Sequence, residues 1–548
     1  MESIYEMVAR LQESGEWEQS FRIIREGLKN SYSDYELYFA LGEYYLQKNI
    51  NQAYLCYENA LLYCTDNKDR EYIIKVMEDV YEQGVEVRPV SIVIVSYNSK
   101  DMMQACIKSI RLNNMPESYQ LVVVDNASID GIDEWLENQN DIILISNQDN
   151  RGFGAACNQG IKAALPDNDI FLLNNDTIVP PNAIFWMRMG LYDNNHVGAA
   201  GCMSNNAVGQ NISEQFNSIS DYVKYAISNN IPESNPYEKK VWLAGFAMMI
   251  RRPVIDQIGL LDLRYGKGYY EDDDIGIRIQ NAGYQCILCH NSFIFHYGSL
   301  SFGKNEDEKI RLSVKNRNVF KEKWGFDIDY YSRARNEIVQ FIDDDKDKPI
   351  HVLEIGCGCG ATLSRIKYMW PDSDVKGIEL VKEVSDIGAN NYDIINGNIE
   401  CMDVLPYNER YFDYVIFADV LEHLHEPEKV LKKVSRYMKN GASLIVSIPN
   451  FMNITVLLPL LKGRLEYKDA GILDKTYVRM FTLYSVVAML EETGYSVEYK
   501  GVVNGEDVGE NVSDDERHEF INAMHCITGA ADMEQFDAYQ YVLRARLR

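Results

Sequence analysis

The segment HVLEIGCGCG, residues 351–360, limits what this chain can fold into more than any other feature. An apolar run typical of a buried strand ends in the acidic residue Glu354, and a stretch with apolar residues at helical spacing follows the turn. The turn itself holds three glycines, Gly356, Gly358 and Gly360, which let the backbone approach a ligand without side-chain obstruction. A second strand-like run, DVKGIEL, carries Glu379 at its end, where doubly wound folds bind ribose hydroxyls. The pattern predicts a nucleotide-binding α/β domain.

The composition is that of a soluble globular protein with several domains. The chain has 548 residues, of which 46% are hydrophobic and 25% charged, and this length allows about three domains with separate cores. Its 54 basic and 82 acidic side chains give a net charge of −28. Because phosphate backbones and anionic membranes attract basic surfaces, this charge argues against nucleic acid or anionic lipid as the main partner.

Cysteine usage and the distribution of apolar residues indicate a cytoplasmic protein. Eleven cysteines are scattered without metal-site spacing, and the closest pair, Cys357 and Cys359, lies inside the glycine turn. Reduced cytosolic thiols explain this better than disulfides. The mixed-charge start MESIYEMVARLQESGEW predicts no secretory signal, and the apolar run ITVLLPLL is too short to span a bilayer. We expect a location in the cytoplasm, either free or peripheral at the inner face of the membrane.

Residues 1–88 are predicted to be helical, with an internal repeat. The segments that follow SGEW and QKNI align at a shift of about 33 residues, with small residues at matching positions. This resembles the tetratricopeptide repeat, in which small side chains let paired helices pack closely. The resemblance implies a helical region that binds a protein partner or serves as a docking segment for the rest of the chain. A plain helical bundle is the alternative.

Two α/β blocks follow. Strand-like runs such as SIVIVSY and QLVVVDN alternate with helical stretches over residues 89–330, which is typical of a parallel α/β domain. Residues 331–348 are rich in charge and are predicted to be a linker. A second α/β block, residues 349–548, ends in AYQYVLRARL, a predicted last strand. The expected fold is therefore a multidomain α/β protein with an N-terminal α-helical repeat.

Polar residues stand at the ends of the predicted strands of the first block. Ser96–Asn98, Asp125–Ser128 and Asn174–Thr177 occupy positions where open α/β sheets bind ligands. This block resembles glycosyltransferase family 2, in particular rhamnosyltransferase-like members with the GT-A fold, in the ordered segments VSYN, VVVDNASIDG, NRGFGAACNQGI, FLLNNDTIV, WLAGFAMMIRR, EDDDIGIRIQNAGYQ and HYGSLSFG. The resemblance implies inverting sugar transfer from a nucleotide-sugar donor to a glycan acceptor.

The same resemblance implies a donor pocket. Asp125 would accept a hydrogen bond from the base or ribose of the sugar nucleotide, and the turn that begins at Asn150 would lie near the ribose. The residues that it assigns to substrate binding are Ser96, Asn98, Asp125, Ser128, Asn150, Gly152, Asn158 and Asn175.

A divalent cation is also implied by the resemblance. Asp176 would bind Mg²⁺ or Mn²⁺ that bridges the donor diphosphate, since hard cations take few carboxylates plus substrate phosphates. Asn174 stands where the family's metal motif often has its first Asp. His296 resembles a second metal ligand of some members. An oriented core histidine is the alternative for His296.

The acidic run Glu271–Asp274 is the strongest candidate for catalysis in the first block. IGIRIQNAGY follows it, so the run opens a helix, where acidic residues are favoured by the helix dipole alone. The resemblance places the general base in the Glu-Asp pair, because a carboxylate must take the proton of the acceptor hydroxyl. We expect Asp272 to be the base and Glu271 to orient the acceptor, with Asp273 as the rival base.

The second block resembles class I S-adenosylmethionine-dependent methyltransferases, which have a Rossmann-like fold. The segments that carry the resemblance, beside the glycine turn, are FDYVIFADVLEHL, SLIVSIPN and GILDKTYVRMFT. Asn398 would touch the adenine amine, at a position where the family more often has Asp. The residues implied in cofactor binding are Glu354, Gly356, Gly358, Gly360, Glu379, Asn398 and Asp419.

The sequence indicates a general base for methyl transfer less clearly than it indicates the base for sugar transfer. His423 follows the strand end at Asp419 and could take the proton of an acceptor hydroxyl. A packing role for His423 is equally compatible with the apolar residues around it.

The sequence therefore predicts a bifunctional enzyme of surface polysaccharide or glycoconjugate biosynthesis, which transfers a sugar and O-methylates a glycan. The glycan acceptor could be lipid-linked or protein-linked. One alternative is an adaptor with one inactive catalytic domain, in line with the substituted positions Asn174 and Asn398. Another is a methyltransferase that acts on a protein or a small metabolite.

Overall fold

The computed structural model describes residues 2–298, 306–504, 512–529 and 534–548. The chain divides into two compact units, Met1–Ile328 and Asp329–Arg548. Within the described ranges, no helix combines the length and the apolar character needed to cross a membrane.

Five helices open the first unit, as the sequence predicts for residues 1–88. They are α1 (Ile4–Glu13), α2 (Trp17–Asn30), α3 (Tyr35–Leu46), α4 (Ile50–Tyr63) and α5 (Asn67–Tyr81). The side chains of Ser3, Asp34 and Asn49 cap α1, α3 and α4 by accepting hydrogen bonds from backbone amides in the first turn of each helix. Gly42 faces Tyr57 so closely that an added Cβ would lie 2.3 Å from the ring, so a small residue is needed for α3 to pack on α4. The assignment as tetratricopeptide repeats stays a prediction.

An eight-stranded sheet forms the core of the α/β part of the first unit. Its strands are β1 (Val90–Ser96), β2 (Tyr119–Asp125), β3 (Ile142–Ser146), β4 (Asp169–Asn174), β6 (Val197–Met203), β7 (Tyr237–Lys240), β8 (Ala247–Ile250) and β9 (Gln285–Phe293), and a second, two-stranded sheet has β5 (Thr177–Ile178) and β10 (Phe295–His296). The large sheet has the order β3-β2-β1-β4-β8-β6-β9-β7. Strands β1 to β4 pair in parallel, as predicted. Their carboxyl ends therefore meet at one edge.

Helices cover this sheet and separate its strands. They are α6 (Lys100–Asn113), α7 (Ile132–Glu137), α8 (Phe153–Ala163), α9 (Ala183–Leu191), α10 (Ile219–Asn229), α11 (Arg252–Ile258), α12 (Glu271–Asn281) and α13 (Glu306–Trp324). The N-terminal helices share one apolar cluster with β1, β2 and α9. Gln52 on α4 donates a hydrogen bond to the carbonyl of Met189 (2.9 Å), and Glu58 pairs with the buried Arg188. Residues 1–88 thus pack as part of the first unit.

The second unit contains a seven-stranded sheet with the order β13-β12-β11-β14-β15-β17-β16. Its strands are β11 (His351–Ile355), β12 (Asp374–Glu379), β13 (Asp393–Asn396), β14 (Phe412–Ala418), β15 (Met438–Pro449), β16 (Tyr495–Val503) and β17 (Gln540–Leu547). Strands β11 to β15 are parallel, and β17 lies antiparallel between β15 and β16. The predicted last strand is therefore present at the predicted place.

The helices of this unit lie between its strands along the chain, after a short helix at the boundary. They are α14 (Ile328–Tyr331), α15 (Asn336–Val339), α16 (Ala361–Met369), α17 (Lys382–Ala389), α18 (Pro427–Val434), α19 (Ile454–Leu461), α20 (Leu483–Glu492), α21 (Asp514–Thr528) and α22 (Glu534–Asp537).

The structure differs from the predicted linker at residues 331–348. Ile338, Val339 and Ile342 are buried in a core cluster that also contains Val352 of β11 and Leu363 of α16. The charged residues of the segment misled the prediction, because the three aliphatic side chains among them are the ones that pack. The second unit accordingly begins before residue 349.

Candidate active sites

Asp125 and its neighbours form a hydrogen-bonded floor at the carboxyl ends of β1 and β2. Parallel pairing puts Ser96 in register with Asp125. The Asp125 carboxylate accepts hydrogen bonds from the amide (3.1 Å) and the hydroxyl (2.5 Å) of Ser128, and that hydroxyl accepts one from the amide of Asn98 (2.8 Å). Asn175 donates to the carbonyl of Asn98 (3.4 Å). These five predicted residues therefore come together.

Two features of this floor point toward a ligand. The Ser96 hydroxyl is fully buried and has no hydrogen-bond partner among the described residues. Asn98, Ser99 and Ala127 have positive φ values of 54°, 80° and 64°. Such left-handed conformations in residues other than glycine cost free energy and cluster at functional sites.

Asn126, which lies within the predicted strand-end segment Asp125–Ser128 but was given no role of its own, connects the floor to the turn at residues 150–152. Its amide group donates to the side-chain oxygen of Asn150 (3.1 Å) and to the carbonyl of Gly152 (3.3 Å), and its oxygen accepts from the amide of Arg151 (3.2 Å). Gly152 has a φ of 84°, and an added Cβ would lie 2.4 Å from the carbonyl oxygen of Gly266. The signal that could have found Asn126 is its place beside Asp125 in VVVDNAS.

Asn158, a predicted substrate ligand, binds the backbone of Leu261 in this structure, and its contact with substrate stays a prediction. Its amide donates to the carbonyl of Leu261 (2.8 Å), and its oxygen accepts from the amide of Leu261 (2.9 Å). Because both polar groups are used by one backbone segment, Asn158 positions the loop around Leu261.

Asp176 and His296 lie together because β5 pairs antiparallel with β10, with His296 opposite Thr177. His296 Nε2 is 3.2 Å from Asp176 Oδ1 and 3.3 Å from the amide nitrogen of Asn174, while its Nδ1 is 2.6 Å from the carbonyl of Asn206. Burial opposes a charge on His296, but the Asp176 carboxylate and the Asn206 carbonyl outweigh it and raise the pKa of the imidazole. The ring also stacks on Phe246 at 5.0 Å.

The Asp176 carboxylate and the His296 imidazole are two groups of the kind that bind divalent cations as ligands. Asp176 Oδ1 is buried and accepts no hydrogen bond from the described residues by the usual geometry, and the imidazole nitrogen beside it is a metal donor. Across the described part of the chain, no group of three or more His, Cys, Asp or Glu side chains could hold a metal ion. Further ligands would have to come from the donor diphosphate, and the metal stays a prediction. The motif segment HYGSLSFG lies outside the described residues from Ser299 onward.

The acidic run opens α12, as predicted, and its members have different environments. Asp272 Oδ2 accepts a hydrogen bond from the amide of Gly245 (2.9 Å), and a Cβ at Gly245 would lie 3.2 Å from the Cβ of Asp272. Burial raises the pKa of Asp272, against the backbone hydrogen bonds that lower it. Burial and the charge of Asp272 raise the pKa of Glu271 to about 8. Glu271 Oε2 has no hydrogen-bond partner among the described residues.

Asp274 is a structural member of the run. It is fully buried and binds the guanidinium of Arg278 (2.9 Å), the indole NH of Trp324 (2.9 Å) and the ammonium of Lys323 (2.5 Å). These contacts tie the start of α12 to the end of α13. Asp273 is also buried.

The loop before the acidic run is strained and held from α13. Tyr269 and Tyr270 have φ values of 73° and 72°. Asn316 on α13 is fully buried and donates hydrogen bonds to the carbonyls of Tyr265 (2.6 Å), Gly268 (2.7 Å) and Tyr269 (3.3 Å). Sequence patterns missed Asn316 because it lies in a charged helix that seemed peripheral.

In the second unit, the glycine turn contacts its neighbours through backbone. An added Cβ would lie 2.5 Å from the carbonyl oxygen of Tyr331 at Gly358, and 2.6 Å from Val420 at Gly356, and all three predicted glycines have positive φ. The Glu379 carboxylate, at the end of β12, accepts hydrogen bonds from the amides of Gly358 (2.9 Å) and Val381 (2.8 Å). The glycine turn and Glu379, the residue predicted to bind the ribose hydroxyls, thus lie together.

Glu354 is the last residue but one of β11 and is 2% exposed. Burial raises its pKa to about 8, and its Oε2 has no hydrogen-bond partner among the described residues. An uncharged carboxyl group in this position is suited to a ligand with hydrogen-bonding groups.

Asp419 has a left-handed φ of 55° and is already engaged by side chains. Its carboxylate accepts hydrogen bonds from Arg335 (2.7 Å), Ser447 (2.7 Å) and Gln540. Arg335, which lies in the segment that we predicted to be a linker, is a residue that sequence reasoning missed. The structure gives Asp419 a role in fixing the turn after β14.

The remaining two predicted residues lie in local contacts. Asn398 is exposed, and its side-chain oxygen accepts the amide of Glu400 (2.8 Å), which closes a turn after β13. His423 Nδ1 is 3.3 Å from the hydroxyl of Thr476, and its ring meets Tyr477 edge-on at 5.0 Å. Burial lowers the pKa of His423.

Comparison with known families finds one match in each half of the chain. Residues 91–259 match the model of glycosyl transferase family 2, and residues 326–500 match the model of a methyltransferase domain.

Curated methyltransferases are similar in sequence to part of this chain. Ajmaline N-methyltransferase from Rauvolfia serpentina is 31% identical over 113 residues, which are 20% of this chain and 38% of that protein. Ubiquinone biosynthesis O-methyltransferase from Coxiella burnetii is 27% identical over 104 residues, 18% of this chain and 44% of that protein. The chain thus spans less than half the length of these relatives.

Among solved structures, an S-adenosylmethionine-dependent methyltransferase from Archaeoglobus fulgidus is 19% identical with a TM-score of 0.29, covering 42% of this chain and 98% of that one. One from Aquifex aeolicus is 16% identical with a TM-score of 0.26, covering 45% and 100%.

Proposed function

We infer that this chain is a bifunctional enzyme of surface polysaccharide or glycoconjugate biosynthesis. It joins a glycosyl transferase family 2 domain to a class I S-adenosylmethionine-dependent methyltransferase domain. The first site would transfer a sugar, with inversion, from a nucleotide-sugar donor to a glycan acceptor. The second would methylate a hydroxyl of a glycan. The observation that carries this proposal is the presence of both domains in one chain, since tethering raises the effective concentration of a shared product.

In the first site, the floor around Asp125 and Ser96 would bind the nucleoside of the donor. Asp272 would take the proton of the acceptor hydroxyl as its oxygen displaces the nucleoside diphosphate from the anomeric carbon. The amide of Gly245 holds the Asp272 carboxylate in place, and Glu271 beside it would orient the acceptor. Asp176 and His296 would hold Mg²⁺ or Mn²⁺, which supplies positive charge opposite the leaving diphosphate.

In the second site, the turn Gly356–Gly360 and Glu379 would bind S-adenosylmethionine, with Glu379 on the ribose hydroxyls. The backbone amides of Gly358 and Val381 support this assignment, since they fix the Glu379 carboxylate at the strand end. Asp419 would orient the turn after β14. The acceptor would be a glycan, free or linked to a lipid or a protein.

The N-terminal helices would bind a protein segment with basic side chains. A groove between α1, α3 and α5 is lined by aromatic residues such as Phe39 and Tyr72 and by the carboxylates of Glu36, Glu43 and Asp69. None of the residues that line it is Lys or Arg. Charge complementarity supports a basic partner, and the enzyme would act in the cytoplasm or at the inner face of the membrane.

Three experiments test the proposal. Mass spectrometry of surface glycans from the host with and without the gene should show loss of one sugar and of its methyl group. In vitro, labelled methyl groups should pass from S-adenosylmethionine to the product of sugar transfer. Labelling of a protein or a small metabolite instead would favour that alternative. Donor hydrolysis that is absent with and without Mn²⁺ would favour an adaptor with an inactive transferase domain.

A further inference from the structure

Glu422 is a buried carboxyl group that the roles assigned above leave unused. The residue is 1% exposed, and neither of its side-chain oxygens has a hydrogen-bond partner among the described residues. A buried carboxyl group without partners costs free energy, so such a group calls for an explanation in terms of a ligand or a reaction.

Glu422 lies where the methyl donor and its acceptor would meet. It belongs to the short 3₁₀ helix Leu421–His423, which begins just beyond the carboxyl end of β14. β14 pairs with β11, the strand that leads into the glycine turn. Val420, two residues before Glu422, packs against Gly356 of that turn. Open α/β sheets bind their ligands at this edge.

A small cavity beside Glu422 has mainly apolar walls. Phe451, Ile472, Tyr477 and Phe481 contribute to its lining together with Glu422 and Arg479. The segment from Ile472 to Phe481 is held onto the Glu422 turn, since the amides of Val478 and Arg479 both donate to the Glu422 carbonyl (3.0 Å). Aromatic and aliphatic walls around a small number of polar groups are typical of a site that orients part of a ligand.

Among the described residues, no charged group neutralises Glu422 by direct contact. Burial raises its pKa well above the ordinary value, the nearby carboxylates of Asp419 and Asp474 raise it further, and Arg335 opposes them. Arg335 is occupied by Asp419 and Glu337, and Arg479 by Glu428 (2.7 Å) and the carbonyl of His425 (2.7 Å). Tyr330 and Tyr477 also face this group of carboxylates.

We propose that the carboxyl group of Glu422 binds the hydroxyl group of the methyl acceptor and removes its proton during transfer. This proposal rests on the proposed O-methylation. The acceptor oxygen forms a bond to the methyl carbon, the bond from that carbon to the sulfonium sulfur breaks with its electron pair on sulfur, and the hydroxyl proton passes to the Glu422 carboxylate. The proton then leaves to solvent. His423, whose Nδ1 lies near Thr476, holds the cavity wall instead.

A kinetic experiment on the full chain tests this role. The substitution Glu422→Gln keeps the size of the side chain but removes the base, and Glu426→Gln changes an exposed carboxylate that pairs with Lys429. The acceptor probes are methyl glycosides of common hexoses and 6-deoxyhexoses, with catechol as the non-glycan hydroxyl probe and [³H-methyl]-S-adenosylmethionine as donor. We expect Glu422→Gln to lower kcat about 10²–10⁴-fold, with unchanged S-adenosylmethionine affinity by calorimetry. Glu426→Gln should match the wild type.

A second measurement needs no acceptor. The pKa of the Glu422 carboxyl group is higher in the folded state than the unfolded value of about 4.3. The protonated group therefore contributes fully to stability below about pH 4.3, and this contribution is lost as the pH rises through the folded-state pKa. Glu422→Gln removes this loss. The Tm of the variant minus that of the wild type should therefore become more positive as the pH rises toward 9, while Glu426→Gln should show no such trend.

The outcomes separate this proposal from the proposed function. Methyl transfer to catechol but to no glycoside would contradict a glycan as the methyl acceptor. The role of Glu422 would then be tested by comparing kcat of Glu422→Gln and the wild type with catechol as acceptor. Near-normal kcat in Glu422→Gln, or a Tm difference that does not change with pH, would overturn the role of Glu422. If the wild type methylates neither probe, the proposed O-methylation and the catalytic role of Glu422 fail together.

Discussion

At the residue scale, the best-defined catalytic group of the first unit is Asp272. The amide of Gly245 donates a hydrogen bond to the Asp272 carboxylate and fixes it, whereas the Asp274 carboxylate forms ion pairs with Arg278 and Lys323. We expect Asp272→Asn to lower sugar transfer about 10²–10⁴-fold, because the amide keeps the shape but cannot take a proton. Donor binding, by calorimetry, and methyl transfer should be unchanged. Near-normal turnover together with an inactive Asp273→Asn would mean that the base is Asp273.

The pair Asp176 and His296 gives a second test at this scale. Asp176→Ala removes the buried carboxylate that lies 3.2 Å from His296. If these residues hold a divalent cation on the diphosphate, sugar transfer should require Mn²⁺ or Mg²⁺ and should be lost in the variant at any metal concentration. Full activity of the wild type in excess chelator would contradict the metal site. Methyl transfer serves as the internal control.

At the scale of elements, α13 controls the loop that presents the acidic run. Asn316→Ala removes the donor for three loop carbonyls, while Asn318→Ala changes an exposed residue of the same helix. The loop before Glu271 should relax, and a displacement of about 1 Å in the base costs roughly 10²-fold in rate. We therefore expect a fall in kcat for sugar transfer with retained donor binding in Asn316→Ala alone. A fall in donor affinity of the same size would indicate general unfolding instead.

How far the sequence predicts these elements depends on whether the signal is local. The apolar runs of β1 to β4 and the glycine turn after β11 are local patterns, so strands, direction and turn were predictable. The pairing of His296 with Asp176 depends on the antiparallel register of β5 and β10, which no short pattern contains. Asn316 and Arg335 lie in segments whose charged composition resembles that of an exposed linker, so their buried contacts were not predictable.

At the scale of the whole molecule, the main correction concerns where the second unit begins. The family match starts at residue 326 and the compact unit at Asp329, not at residue 349. The segment before β11 supplies three buried aliphatic side chains, Ile338, Val339 and Ile342, and the guanidinium that holds Asp419. Each aliphatic side chain contributes about 1.5–3 kcal/mol when buried. Their sum is comparable to the whole stability of a typical domain, about 5–15 kcal/mol.

A pair of truncated chains tests this boundary. We expect residues 329–548 to fold alone and to bind S-adenosylmethionine in calorimetry, whereas residues 349–548 should be unfolded by circular dichroism. In the longer chain, Gly358→Arg should abolish binding, since any Cβ there meets the Tyr331 carbonyl at 2.5 Å and the φ of 56° disfavours a side chain. Glu383→Gln, an exposed change near the start of α17, should bind normally. Two results would contradict this reading. If residues 349–548 fold and bind as well as the longer chain, the segment around Ile338 is dispensable, and if binding survives Gly358→Arg, the glycine turn is not the cofactor site.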